Sequence, residues 1–153
     1  MAEKPLACIF CEALARRDED SSLIVHEGKS VFTILNRYPY ANGHVMVAPR
    51  AHEALLPQSP PETLLELIRE VALAQEVLQD AYQPAGFNVG ANFGRAGGAG
   101  VEDHYHFHVV PRWIGDVNFM NVTANTRVVP EELPVTRARL AAGFAGLEER
   151  AAR

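Results

Sequence analysis

The run His104-Tyr105-His106-Phe107-His108 constrains this chain more than any other stretch. Imidazole alternates with aromatic ring at every step, and only an extended strand puts such alternation to use, because successive side chains leave a strand on opposite faces. His104, His106 and His108 therefore share one face, while Tyr105, Phe107 and Val109 point into a core on the other. Glycines precede the run, at Gly97, Gly98 and Gly100, and Pro111 follows it, so turn chemistry brackets the strand. One histidine on a sheet face is ordinarily a satisfied core residue. Three in strict alternation bring six ring nitrogens that all need partners, which is poor packing and points to chemistry.

The bulk numbers narrow what that chemistry can be. With 153 residues, 48% of them hydrophobic, the chain suits a single domain over 1–153. Its core spans about 8–120, and a C-terminal extension of about 121–153 carries a helix. A net charge of -5 argues against a duplex nucleic-acid binder. It does not exclude one anionic ligand held by imidazoles and backbone amides. No apolar run approaches a membrane span, and Met-Ala-Glu-Lys-Pro at the start lacks the form of a signal peptide, so no membrane partner is expected and the cytoplasm is the expected compartment.

Cys8 and Cys11 form a CxxC pair, too few and too close for a disulfide scaffold. By itself the pair is open to half a metal site, a redox pair or two unliganded thiols; the redox reading wants a thioredoxin-like strand–turn–helix context that is not seen here, and zinc stands even with unliganded thiols. Residues 12–20 predict a short helix. Leu23–Val25 and Ser30–Leu35 read as a hairpin turning at Glu27-Gly28, and Gly43–Pro49 as the next strand of a meander. His44 opens that strand and His52 lies beyond it. Ser59-Pro-Pro-Glu62 has the form of a capping box, with Ser59 as cap and Pro60 as first helical residue. The helix that follows carries apolar residues from Leu64 to Ala81, with Leu65, Ala72, Leu73 and Val77 broadening the stripe enough to meet a partner subunit as well. Gly86–Asn92 alternates as a fourth strand, and the glycine-rich loop 94–100 offers close backbone approach to an anion. Trp113–Met120 predicts a turn and an extended piece, Arg127–Pro130 a short edge strand, and Pro134 the start of a terminal helix.

Two chemistries use a histidine cluster of this kind. A catalytic metal site needs three inward ligands and an open position. Nucleophilic catalysis instead needs one neutral imidazole with its second nitrogen held as a donor, amides for phosphate oxygens, and a proton donor near the leaving group.

His104-Tyr-His106-Phe-His108-Val-Val resembles the signature of the histidine-triad (HIT) superfamily of nucleotide hydrolases and transferases. Ile34–His44, Gly86–Asn92 and His108–Phe119 fit as well, so the likeness runs from Cys8 to about Met120 and is nearest to the branch that splits diadenosine polyphosphates. It implies an α+β fold, a five-stranded antiparallel sheet with helices packed on it, dimerising into ten strands. It implies a nucleotide or dinucleoside polyphosphate as substrate, a homodimer, and no organic cofactor. His106 would be the nucleophile, His104 and His108 would orient it and contact phosphate or leaving group, and His44 would support His106. Asn36 would bind ribose, Asn92, Gly98 and Gly100 phosphate, and Phe10 and Ile34 would pack on the base. A structural zinc would be held by Cys8, Cys11, His52 and His104. Many members carry glutamine where this chain has Gly100, which leaves the acceptor open between water and inorganic phosphate. A hydrolase is the first expectation. A diadenosine tetraphosphate phosphorylase, a purine nucleoside phosphoramidase, a zinc metallohydrolase and a non-catalytic nucleotide-binding module are the alternatives.

Overall fold

The computed structural model describes residues 8–19, 21–116 and 131–152. The chain order is α1 (Ile9–Ala15), β1 (Ile24–Glu27), β2 (Val31–Leu35), β3 (Val45–Pro49), α2 (Pro61–Tyr82), β4 (Gly86–Ala91), β5 (Phe107–Arg112) and α3 (Leu133–Ala151). A short 3₁₀ turn, Leu56–Gln58, precedes α2. The strands form one antiparallel sheet in the order β1-β2-β3-β5-β4. The α+β class and the five-stranded antiparallel sheet expected from the sequence are therefore present. The expected strand at 127–130 and the extended piece at 117–120 lie outside the described residues.

Period-two alternation sorts the core into two layers. On one face Val31, Leu35, Val45, Val47, Tyr105 and Val109 pack against α2 and α3. On the other face Phe32, Ile34, Met46 and Ala48 pack with Phe10 of α1. β2 and β3 are buried at every position, because each of their faces is covered. β1 and β4 are the sheet edges, and β4 is exposed at half of its six positions.

The two long helices follow their sequence patterns with one correction. α2 buries Leu67, Val71, Ala74 and Leu78 at helical spacing, and α3 buries Thr136, Leu140, Phe144 and Leu147. They approach so closely that a Cβ on Gly143 would lie 2.6 Å from Val77, so this helix crossing requires glycine. Leu65 and Ile68 of α2, 53% and 56% exposed, are the part of the broad stripe that the sheet does not use. Ser59 does not cap α2: the helix begins at Pro61 with Pro60 in the cap position and no side-chain cap bond. The Ser59 hydroxyl is taken by Glu53 and by the Tyr105 hydroxyl at 2.6 Å. A buried tyrosine oxygen needs a partner, and that demand outweighs a cap for one exposed amide. The first helix is also displaced from the expected 12–20 to Ile9–Ala15, because Phe10 anchors it on the sheet.

Two conformational details position the histidines. Gly43, immediately before His44, has φ of 76° and lies against Leu78 and Tyr82, a backbone region and a space that suit glycine alone. The regular ladder of β5 begins only at Phe107, so His104, Tyr105 and His106 precede the strand proper. The alternation persists through them nonetheless, since the Tyr105 amide donates to the Glu53 carbonyl at 2.7 Å and its ring joins the helix-side core.

Candidate active site

Burial sets the state of the three strand imidazoles. His104 and His106 are almost fully buried under Phe10, whose ring centroid lies 5.0 and 4.8 Å from theirs. Burial pushes both of their pKa values down, and it pushes His108 down to about 4, with nearby His106 adding to the effect. All three rings are therefore neutral near pH 7, with one nitrogen bearing a proton and the other a lone pair.

The partners decide which nitrogen is which. A carbonyl oxygen can only accept, so Nδ1 of His106, 3.1 Å from the His104 carbonyl, carries the proton. Its Nε2 is left with the lone pair. Nδ1 of His44 accepts from the Tyr40 amide at 3.0 Å, so its Nε2 carries the proton and donates to Nδ1 of His108 at 2.9 Å. That leaves Nε2 of His108 as an N–H donor. One backbone amide thus orients a two-imidazole chain, and its end is a neutral donor beside the His106 ring, whose Nε2 carries a lone pair. The Tyr40 ring packs over both imidazoles of this chain, 4.6 Å from His44 and 6.1 Å from His108. Where the sequence-based expectation has His44 supporting His106, the structure brings its Nε2 onto Nδ1 of His108, the imidazole next along the strand. The register explains it: Val45 pairs with Val109 and Met46 with His108, so His44 lies diagonal to His108 and further along the strands from His106.

His104 is engaged elsewhere. Its Nε2 donates to the Pro49 carbonyl at 2.8 Å, which turns the Nδ1 lone pair toward Cys8 Sγ at 3.2 Å and Cys11 Sγ at 3.7 Å. Nδ1 of His52 lies 3.4 Å from Cys11 Sγ, and its Nε2 lies 3.3 Å from Asp103. The four potential ligand atoms fall within 4.8 Å of one another. Tetrahedral coordination at about 2.0–2.3 Å places ligand atoms roughly 3.3–3.8 Å apart, close to the 3.2, 3.4 and 3.7 Å of the thiol–imidazole pairs, so a small closure of the group suits a single divalent ion. Each histidine has its outer nitrogen tied to an acceptor, as a metal ligand requires. Burial, then the neighbouring Cys8, pushes the Cys11 thiol up, the reverse of what a reactive redox thiolate needs. The cysteine pair, ambiguous in sequence, is therefore half of a candidate metal site.

On the same face of the sheet a cleft of about 300 Å³ opens between α1 and the ends of β1 and β2. Ile9, Ala13, Ile34 and Met46 supply its apolar walls, and Asn36 and Arg37 lie at its polar rim. Ile34 is placed as a base-packing residue would be. Phe10 is fully buried, with its ring against those of His104 and His106. Asn36 accepts the Tyr38 amide through Oδ1 at 2.9 Å. Asn92 is exposed, with Nδ2 3.4 Å from the Gly98 carbonyl, and the pairing of Ala91 with Phe107 brings the loop that starts there to the level of His106. Gly98 adopts φ of 84°, and Gly100 is exposed with open space where a Cβ would lie.

Three contributors were invisible in the sequence. The carbonyls of His104 and Pro49 and the amide of Tyr40 fix all the tautomers, and backbone groups leave no trace in residue identity. Asp103, which meets Nε2 of His52, is signalled in the sequence only by its place directly before His104. His26 stood apart in sequence and stands apart in space, clamped between Glu70 at 2.7 Å and Glu148 at 2.9 Å on the helical face.

The HIT domain family model matches residues 17–113. An AP-4-A phosphorylase of Mycobacterium tuberculosis is 39% identical over 136 residues, 89% of this chain and 69% of that protein. Among solved structures, a hypothetical histidine triad nucleotide-binding protein from Sulfolobus tokodaii superposes with a TM-score of 0.75 at 28% identity, covering 92% of this chain and 94% of that one. A Zn-bound histidine triad family protein from Mycobacterium smegmatis also gives 0.75 at 28%, covering 94% and 97%. The chain belongs to the HIT family.

Proposed function

We propose that this protein cleaves the phosphoanhydride of dinucleoside polyphosphates, with diadenosine tetraphosphate as the type substrate, through a covalent nucleotidyl–His106 intermediate. The observation that carries this reading is the His106 ring itself: neutral, with Nδ1 held on the His104 carbonyl and Nε2 free. The nucleoside occupies the cleft lined by Ile34, with Asn36 at the ribose. Nε2 of His106 attacks the adjacent phosphorus, the P–N bond forms, and the P–O bond to the rest of the polyphosphate breaks. The departing polyphosphate leaves as an anion, and the Nε2–H of His108 stabilises the charge on its oxygen. Amides of the loop holding Gly98 and Gly100, with Asn92, receive the non-bridging oxygens. An acceptor oxygen then attacks the same phosphorus, the P–N bond breaks, and His106 recovers its lone pair.

The acceptor is inorganic phosphate in the reading favoured by the M. tuberculosis relative, and water in the other. Incubating the protein with diadenosine tetraphosphate with and without phosphate separates them. Phosphorolysis yields ADP and ATP and depends on added phosphate; hydrolysis yields AMP and ATP regardless. No turnover of several such substrates would leave a nucleotide-binding module instead.

Cys8, Cys11, His52 and His104 would hold zinc, which would fasten the N-terminal helix to the sheet beneath the imidazoles. The Cys8→Ser, Cys11→Ser double variant is expected to lose its zinc and melt at a lower temperature while keeping turnover at permissive temperature. Retention of zinc would remove the site assignment, and collapse of turnover in a folded, zinc-free variant would favour a metallohydrolase. A homodimer fits the exposed edge β4, which could pair with its copy to give ten strands. Among the described residues no helix is long and apolar enough to cross a membrane.

A further inference from the structure

A second cavity, of about 290 Å³, adjoins the nucleoside cleft. The two share Ser21, Ser22, Leu23 and Arg37 as a common wall, and the second is closed by the first turn of α3 and by Arg137. Its charge is one-sided. Arg37 and Arg137 line it and no carboxylate does among the described residues, in a chain whose net charge is -5.

Pairing separates these two arginines from most of the others. Arg16, Arg17, Arg50, Arg112, Arg139 and Arg150 each have a carboxylate partner. Arg37 and Arg137 have none among the described residues, and Nε of Arg137 is buried without a hydrogen-bond partner. A buried guanidinium nitrogen without an acceptor is costly; Nε is shielded from water, so a ligand oxygen in the cavity would meet Arg137 through the outer nitrogens of the fork. Ser22 is buried, and its Oγ accepts the Ile24 amide at 3.3 Å, leaving its O–H to donate into the cavity. Two guanidinium groups with a hydroxyl donor make a phosphate-binding set, and guanidinium forks suit phosphate better than a single ammonium would.

We infer that the Arg37–Arg137 cavity holds an additional phosphate carried on the ribose of the nucleotide in the cleft, on its 2′ or 3′ oxygen. Arg37 follows Asn36 directly, so the shared wall begins beside the residue assigned to the ribose hydroxyls. This rests on the reading of the larger cleft as the nucleoside site. It widens the substrate class from dinucleoside polyphosphates to those whose ribose bears a phosphate monoester.

Calorimetric titration of the purified protein with AMP, adenosine 2′,5′-bisphosphate and adenosine 3′,5′-bisphosphate tests it. One bisphosphate is expected to bind at least about tenfold tighter than AMP. Arg137→Gln is expected to abolish that gain while leaving AMP affinity unchanged. Arg37→Gln, at an exposed position where the fold is not at stake, is expected to abolish it too. If AMP binds and neither bisphosphate binds tighter, or if the gain survives both substitutions, the proposal is wrong. Inorganic phosphate alone is the third arm. If it binds beside AMP in an Arg137-dependent way and the bisphosphates gain nothing, the cavity serves free phosphate and the ribose assignment is overturned. If AMP itself does not bind, the nucleoside reading of the cleft falls, and this inference falls with it.

Discussion

His106→Ala should reduce turnover of a diadenosine polyphosphate by at least about a thousandfold, roughly 4 kcal/mol of barrier, while AMP affinity changes by less than about threefold. Both halves follow from the geometry. Every bond-making step on the proposed path passes through Nε2 of this ring, and the neighbouring imidazoles cannot substitute. His104 has Nε2 on the Pro49 carbonyl and Nδ1 toward the cysteines, and His108 presents a proton where a lone pair is needed. Binding, in contrast, rests on the cleft lined by Ile34 and Asn36, which His106 does not line. Single-turnover assays beside calorimetric titration would check it, and trapping labelled nucleotide on the wild-type protein but not on the variant would locate the covalent bond. A residual rate within tenfold of wild type would remove His106 as nucleophile.

The second large effect is on stability, far from the cleft. His26 on β1 stacks on Phe144 of α3 at 4.6 Å, donates to Glu70 of α2 at 2.7 Å, and meets Glu148 of α3 at 2.9 Å. Glu70 also receives the buried hydroxyl of Thr33. The hydrogen bond to Glu70 raises the His26 pKa to about 9 against the opposing effect of burial, with Glu148 adding to the rise. A raised folded-state value means the protonated form is favoured by folding. The contribution is complete below about pH 6.5, the ordinary histidine value, and disappears as the pH climbs through about 9. Its upper bound is about 3 kcal/mol, reduced by solvent around exposed Glu148. Between pH 6 and pH 10 the wild-type melting temperature should fall by up to about 10 °C more than that of His26→Gln, which cannot titrate. Parallel pH profiles for the two proteins would show that the clamp contributes nothing.

His26 also shows where sequence reading stops. None of the partners of its side chain lies within ten residues of it in the chain: Glu70 and Glu148 are 44 and 122 positions away. The strand pattern around His104, His106 and His108 was legible because its period is local, and the hairpin, the fourth strand and the long helices were legible for the same reason. The Ser59 capping box, by contrast, satisfied every local rule and still did not form, because Tyr105, 46 positions away, needed the same hydroxyl.

The sequence by itself determined which side chains share a face: alternation at 104–109, helical spacing in 64–78 and in 136–147, and a turn at Gly43, all consequences of backbone periodicity and of sterics within a few bonds. The tertiary structure alone decided what each histidine can do. It placed the Pro49 carbonyl on His104, the His104 carbonyl on His106 and His44 on His108, and so sorted three like imidazoles into a candidate metal ligand, a lone-pair nitrogen and a proton donor. A tautomer is set by the one atom that meets the ring, and that atom is chosen by packing between strands and loops distant in the chain.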